Sequence, residues 1–179
     1  MSGAQFLRTA RLALRPVAVR DEAPVVAALN DIAVSGWLQP VPFPYSPADF
    51  CQFQSEYAVP GLTYAIDDAQ GFVGIIGVED RTLGYWLAPQ SHGKGYATEE
   101  ARAVLAEHLA QDPDDILSGY FEGNSRSANV LRKLGFVETA HDTKYCLALK
   151  VDRPHVTMRL TPAAFKDSSE SSADPVPPG

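Results

Sequence analysis

The most restrictive feature of this chain is a change of period near its middle. Before Pro89, three short stretches read as strands: Leu62 to Asp67, Phe72 to Glu79 and Leu83 to Ala88. Turn-rich Asp68-Ala-Gln-Gly71 and Asp80-Arg-Thr82 separate them, short enough to be hairpins, so this part of the sheet is predicted antiparallel. After Pro89, Ala97, Ala101, Val104, Leu105 and His108 share one face at helical spacing until Gln111-Asp-Pro113 stops the run. The junction reads Gln90-Ser-His92-Gly93-Lys94-Gly95-Tyr96-Ala97-Thr98. Its glycines let the backbone approach a ligand, and N–H groups at a helix start point outward with the positive end of the dipole behind them. The pattern suits an anion site, and equally a plain tight turn. Two nucleotide motifs fail: Thr98 stands where the dinucleotide fingerprint needs a third glycine, and Lys94 precedes Gly95 where the phosphate loop needs Ser or Thr.

On either side of this junction the pattern alternates helix and strand. Arg11 to Pro16 reads as an opening strand, and Asp21 is the predicted N-cap of a helix through Val25, Val26 and Leu29 to Asn30. Trp37 to Tyr45, dense in proline and aromatics, reads as an ordered extended loop. Ser46-Pro-Ala-Asp49 has the form of a capping box opening a helix with Phe50, Phe53 and Tyr57 on one face. A strand from Ile116 to Glu122 follows the central helix, then a helix capped by Asn124 or Ser125 and stopped at Gly135. Closing strands at about 144–150 and 156–161 complete the order β-α-α-β-β-β-α-β-α-β-β. The predicted organisation is an N-terminal extension (1–10), one folded domain (11–165) and a disordered tail (166–179) rich in Ser, Asp, Glu and Pro.

At 179 residues, 45% hydrophobic and 21% charged, one domain can bury a sizeable core. The net charge of -7 argues against a nucleic-acid partner, while its field attracts cationic amines. Cys51 and Cys146 read as reduced thiols without metal spacing, and His92 and His108 lack ligand spacing, so no metal is expected. No run has the length of a signal or membrane span, and the expected location is cytoplasmic, with no membrane partner.

Gln90-x-x-Gly93-x-Gly95 resembles the (Arg or Gln)-x-x-Gly-x-(Gly or Ala) pattern of the GNAT N-acetyltransferases. Gly84-Tyr-Trp-Leu-Ala-Pro89, Gly95-Tyr-Ala-Thr-Glu99, and Asn124-x-x-Ser127 followed by Leu131-Arg-Lys-Leu-Gly-Phe136 resemble its RimJ/RimL-like branch, which modifies ribosomal-protein N-termini. His92 departs from that branch, whose members often carry Trp there. The resemblance implies an α/β (α+β) GNAT fold, a mixed sheet of about seven strands flanked by about four helices. It further implies transfer of an acetyl group from acetyl-CoA to a primary amine by direct attack in a ternary complex. The expected acceptor is a protein or peptide N-terminus, with a small-molecule amine or a non-catalytic acyl-CoA-binding module as alternatives. Monomer and homodimer both remain open.

The roles implied by the resemblance fall on named residues. Backbone N–H groups from His92 or Gly93 through Lys94, Gly95, Tyr96, Ala97 and Thr98 bind the pyrophosphate, Leu87 and Ala88 pair with the pantetheine arm, and Asn124 hydrogen-bonds it. Lys133, with Arg126 and Arg132, either supplies charge near the phosphates or sits on a solvated helix face. Ser127 is the implied acid, or a plain helical serine. Glu79 is the candidate base, or a surface carboxylate beside a turn, with Asp80, His141 and Tyr145 behind it. Trp37, Tyr45 and Tyr85 are candidate walls of the acceptor pocket, or core.

Overall fold

The computed structural model describes residues 6–171. Its elements are β1 (Leu7–Arg8), β2 (Ala13–Arg15), α1 (Glu22–Leu29), α2 (Ile32–Ser35), α3 (Pro47–Glu56), β3 (Thr63–Asp68), β4 (Gly71–Glu79), β5 (Thr82–Leu87), α4 (Tyr96–Gln111), β6 (Ile116–Phe121), α5 (Ser125–Lys133), β7 (Val137–Cys146), β8 (Val151–Leu160) and α6 (Pro162–Ser171). The strands form one mixed sheet in the order β1-β2-β3-β4-β5-β6-β8-β7. The predicted hairpins β3-β4-β5 are antiparallel, and β5 and β6 are the parallel pair.

That parallel pair sets up the site. β5 and β6 share one register pair, Thr82 with Leu117. Their joined end is tied by Leu117 N–H to the Arg81 carbonyl (2.8 Å) and Ser118 Oγ to the Leu83 carbonyl (2.9 Å). Beyond Leu83 and Ser118 the strands part, so a gap opens between their C-terminal halves.

Side chains alternate across the strands, and each face has its own cover. Ile76, Val78, Leu83, Leu87 and Met158 pack with Val104 and Leu105 of α4 and Leu131 of α5. On the opposite face Ala65 and Ile75 pack with Val25, Leu29 and Phe50 from α1 and α3, and Trp86 joins them. The α3 start follows the sequence prediction: Ser46 Oγ accepts from Asp49 N–H and the Asp49 carboxylate accepts from Ser46 N–H.

Several expectations need correction. Within 1–10, Leu7 and Arg8 pair with Leu14 and Ala13, so the sheet begins before the predicted domain boundary; residues 1–5 lie outside the described residues. Residues 166–171, read as disordered tail, complete α6, because Thr161 caps its start and Ser168 Oγ donates to the Leu134 carbonyl (2.9 Å); residues 172–179 lie outside the described residues. The strand expected at 144–150 is instead the end of β7 and a turn in which Lys150 has φ 57°. β7 is an exposed edge strand and lacks the apolar alternation that marks a half-buried one. Asp21 stands at the N-cap place of α1 but does not cap it; its carboxylate accepts from Arg15 and from Ala18 N–H. Among the described residues no helix is long and apolar enough to cross a membrane.

Candidate active site

The Gly93-Lys-Gly95 junction lies at the C-terminal end of β5, beside the gap. Gly93 and Gly95 have φ of 74° and 78°, a left-handed conformation that costs any other residue about 1–2 kcal/mol. A Cβ on Gly93 would meet nothing within 4 Å, so that glycine serves the backbone path rather than crowded packing. Gly95 is the N-cap of α4 and provides no side-chain cap. The N–H groups of Gly93, Lys94, Gly95, Tyr96, Ala97 and Thr98 meet no acceptor among the described residues, and the first helical bond is Glu99 N–H to the Gly95 carbonyl (3.2 Å). A row of free N–H groups at a helix start fits a pyrophosphate. The predicted contribution of the His92 N–H is corrected: a short turn spends it on the Pro89 carbonyl (3.2 Å).

Residues the sequence did not single out hold this cradle in place. Arg11 donates to the Lys94 carbonyl (2.8 Å) and to Glu99 (2.7 Å), and its guanidinium lies 4.8 Å from the centre of the Tyr96 ring. Burial pushes the Glu99 carboxyl up, but bonds from Thr9 and Arg11 outweigh it and hold the group below its usual range. An acid in the first turn of α4 was the visible signal; its partner 88 positions away was not. Lys94 Nζ leans toward Asp68 at 4.0 Å.

Alternation decides which groups of β5 face the gap. Ala88 N–H donates to the Val73 carbonyl of the β4 side (2.8 Å), so the predicted pairing of Ala88 with the pantetheine arm is corrected. The neighbouring Leu87 and Tyr85 therefore turn their backbone groups the other way, toward the gap, as Leu83 does where it accepts from Ser118. The Leu87 carbonyl accepts from His92 Nε2 (2.9 Å), while His92 Nδ1 accepts from Arg126 (3.0 Å), because an arginine can only donate. His92 and Arg126 thus bridge the mouth of the gap, from the β5–α4 loop to α5.

Across the gap, the Asn124 side-chain oxygen accepts from Ser127 N–H (3.2 Å) and caps α5. Ser127 Oγ and Tyr85 Oη share a hydrogen bond of 3.0 Å, which joins two predicted site residues between strand and helix. Burial pushes the Tyr85 hydroxyl up to about 12, so it keeps its proton at neutral pH. Behind it, on the sheet-facing side of α4, Glu100 is 0% exposed and neither carboxylate oxygen has a hydrogen-bond partner among the described residues. Burial, with the charge of Glu99, raises its pKa well above the usual carboxylate value. The helical spacing of Ala97, Glu100 and Val104 makes that burial readable in the sequence.

The opposite face of the apex has a bare floor. Gly84 follows the joined end on β5 and Gly119 follows it on β6, and a Cβ on Gly84 would meet nothing within 4 Å. Trp37 borders this face: its ring lies 3.6 Å from where a Gly123 Cβ would stand and 4.5 Å below the Arg153 guanidinium. Glu79, paired with Thr82, is exposed on the same face, level with the joined end. Tyr45 is corrected to core: it is buried among Val25, Phe50 and Ile75, with its backbone bonded to Asn30. Lys133 lies apart from Asn124 and Ser127. It closes α5, about 12–14 Å along the helix from Asn124, where its carbonyl accepts from Arg102. Of the remaining base candidates, Asp80 forms the β4–β5 turn, His141 lies 3.5 Å from Glu122 and from Glu138, and Tyr145 is half exposed on β7.

Residues 11–137 match the model of the acetyltransferase (GNAT) domain. No curated protein matches the chain significantly by sequence. Among solved structures, a GNAT-family acetyltransferase from Bacillus anthracis superposes with a TM-score of 0.75 at 18% identity, covering 88% of this chain and 99% of its own. RimJ of Mycobacterium smegmatis, in complex with CoA-disulfide, gives 0.71 at 22% identity, covering 90% and 89%. Spermidine N-acetyltransferase of Vibrio cholerae, in complex with CoA and spermine, gives 0.72 at 16% identity, covering 88% and 99%. The domain match spans most of the chain and includes the glycine cradle and the Asn124–Ser127 cap. The chain belongs to the GNAT family, as an acetyl-CoA-dependent N-acetyltransferase.

Proposed function

We propose that this enzyme acetylates a compact primary amine, a small molecule rather than an extended peptide, although its motifs resemble the RimJ/RimL-like branch. The observation that carries this is the seam between the Trp37–Tyr45 loop and the β7–β8 hairpin. There Leu147 N–H donates to the Gln39 carbonyl (3.2 Å), and the Cys146 thiol and Arg153 guanidinium both donate to the Gly36 carbonyl. The loop lies against the hairpin where an extended acceptor would need an open groove. Exposed Leu147, Leu149 and Val151 at the hairpin tip support a second reading, a protein N-terminus docked from outside.

Acetyl-CoA, when bound, supplies the activated acyl group. In this reading the N–H groups of Gly93 to Thr98 hold its pyrophosphate, the Leu87 and Tyr85 backbones line its arm, and the amide of Asn124 contacts it. Holding donor and acceptor together removes the entropic barrier of their encounter. The Tyr85–Ser127 pair presents a proton toward the gap for the departing sulfur, and Glu79 is exposed on the same face of the sheet as Gly84.

The test is incubation of purified protein with acetyl-CoA and a mixed panel of small amines and N-terminal peptides, following thiol release and acceptor mass together. Transfer to small amines alone is the expected outcome. Acetylation confined to peptide α-amines would replace it with the second reading.

A further inference from the structure

His155 and Asp142 lie on the β6 side of the gap, one and two strands beyond β6, on the face with the bare floor. His155 on β8 is opposite Phe121 of β6 and opposite Asp142 of β7, so it stands between two strands in register with both. Its Nδ1 is 3.0 Å from Asp142 Oδ1. Burial pushes the Asp142 carboxyl up, but His155 and then Lys144 outweigh it and hold the group below its usual range. The carboxylate therefore accepts, Nδ1 carries the proton, and Nε2 is left with a free lone pair.

The imidazole does not stand over its own register partner. It meets the Phe121 ring edge-on, with centroids 5.7 Å apart, and leans diagonally along β6. A Cβ on Gly119 would lie 2.5 Å from its Cε1 and 2.7 Å from its Nε2. A Cβ there would also lie 2.6 Å from the Val156 carbonyl, so glycine at 119 serves both the strand backbone and the ring, whose Cε1–Nε2 edge lies over β6. The charged groups nearby are Asp142 and Lys144 from β7, 3.4 Å apart, and Arg153 from β8, whose guanidinium lies over the Phe121 and Trp37 rings and donates to the Gly36 carbonyl. Glu79 stands on the same face level with the joined end, across β5 and β6 from His155.

The geometry points to His155, held by Asp142 and admitted by Gly119, as the group that takes the proton from the acceptor ammonium. It rests on the reading of this gap as the acyl-transfer site. Nε2 takes one proton from R–NH3+. The freed nitrogen pair forms the bond to the acetyl carbon, and the C–S bond breaks with its electrons on sulfur. The second nitrogen proton passes to solvent as the amide forms, sulfur takes one from the Tyr85–Ser127 pair, which regains it from solvent, and His155 returns its own to solvent.

Two measurements test this. In 15N NMR of the full chain without ligand, the neutral imidazole of His155 is expected to carry its proton on Nδ1 and to be bare on Nε2, and D142N should shift that tautomer balance; an Nε2-protonated tautomer would overturn the assignment. Kinetics then use benzylamine, an ammonium at neutral pH, and O-benzylhydroxylamine, which arrives uncharged. H155Q should lower turnover of benzylamine about 100-fold, the order expected for removing a general base, and leave O-benzylhydroxylamine within about threefold. The KM for acetyl-CoA should not move. Equal losses on both amines, or a larger loss in E79Q than in H155Q, would overturn it. Wild-type protein that binds no acetyl-CoA removes the acyl-transfer reading and this assignment with it. If acetyl-CoA binds but neither amine accepts, the compact-amine reading fails and the tautomer alone decides on His155.

Discussion

The starts of α3 and α4 have opposite designs. At α3 the Ser46–Asp49 box closes on itself, so the helix satisfies its own leading donors. At α4 a glycine occupies the N-cap, no side chain caps it, and the N–H groups from Gly93 onward face outward, while Arg11 braces the loop through the Lys94 carbonyl. A capped start contributes to folding; an uncapped start, braced from the side, forgoes that contribution and presents a charged end to a ligand. The two should respond to mutation in different observables.

The largest effect is expected at the glycines. Gly93→Ala and Gly95→Ala force a positive φ on a Cβ, and at Gly93 the new methyl points into the space a phosphate needs; CoA affinity by calorimetry should fall about 100-fold, from strain and obstruction together. Unchanged affinity would mean that the cradle is only a turn. Next is Glu100, deeper in the same helix. In the folded protein its raised pKa keeps a proton that the unfolded chain has already released above the ordinary value of 4.5. Stability must then fall as pH rises from that value toward the raised one. Glu100→Met should flatten this slope and add about 1–3 kcal/mol near neutral pH, measured by urea denaturation at several pH values. Arg11→Ala comes third, with CoA binding weakened about tenfold and the fold retained, since it removes the brace and leaves the donors. Smallest is Ser46→Ala, which should cost about 1 kcal/mol of stability and leave CoA affinity untouched. If Ser46→Ala instead impaired binding, the division between the two helix starts would be wrong.

The same contrast explains what was legible. The α3 box and the glycine junction are local, a few residues fixing a few dihedrals, and both could be read directly from the chain. So could the strand-to-helix alternation, because each half-buried strand from 63 to 87 carries its own apolar pattern. β7 could not be read, since an exposed edge strand has no face to hide. Ala88 and Leu87 differ only in the phase of the ladder, which no composition reveals and one bond to Val73 settles. Lys133 shares a helix with Ser127 but stands apart from it by helical rise alone. Tyr45 looked like a pocket wall because aromatics in a proline-rich loop serve either purpose, and the Asn30 clamp turned it inward. His155, Asp142 and Gly119 lie on three strands and meet only through register.

The lone register pair between β5 and β6 has a consequence for how the molecule breathes. In backbone bonding, β1 to β5 form one leaf and β6 to β8 another, with the spine at Thr82 and Leu117. A cofactor arm laid against Tyr85 and Leu87 stands where a missing strand would be, so loading the enzyme amounts to finishing its sheet. The melting temperature should therefore climb with CoA concentration, and amide exchange at Tyr85 and Leu87 should slow on binding while the spine hardly changes.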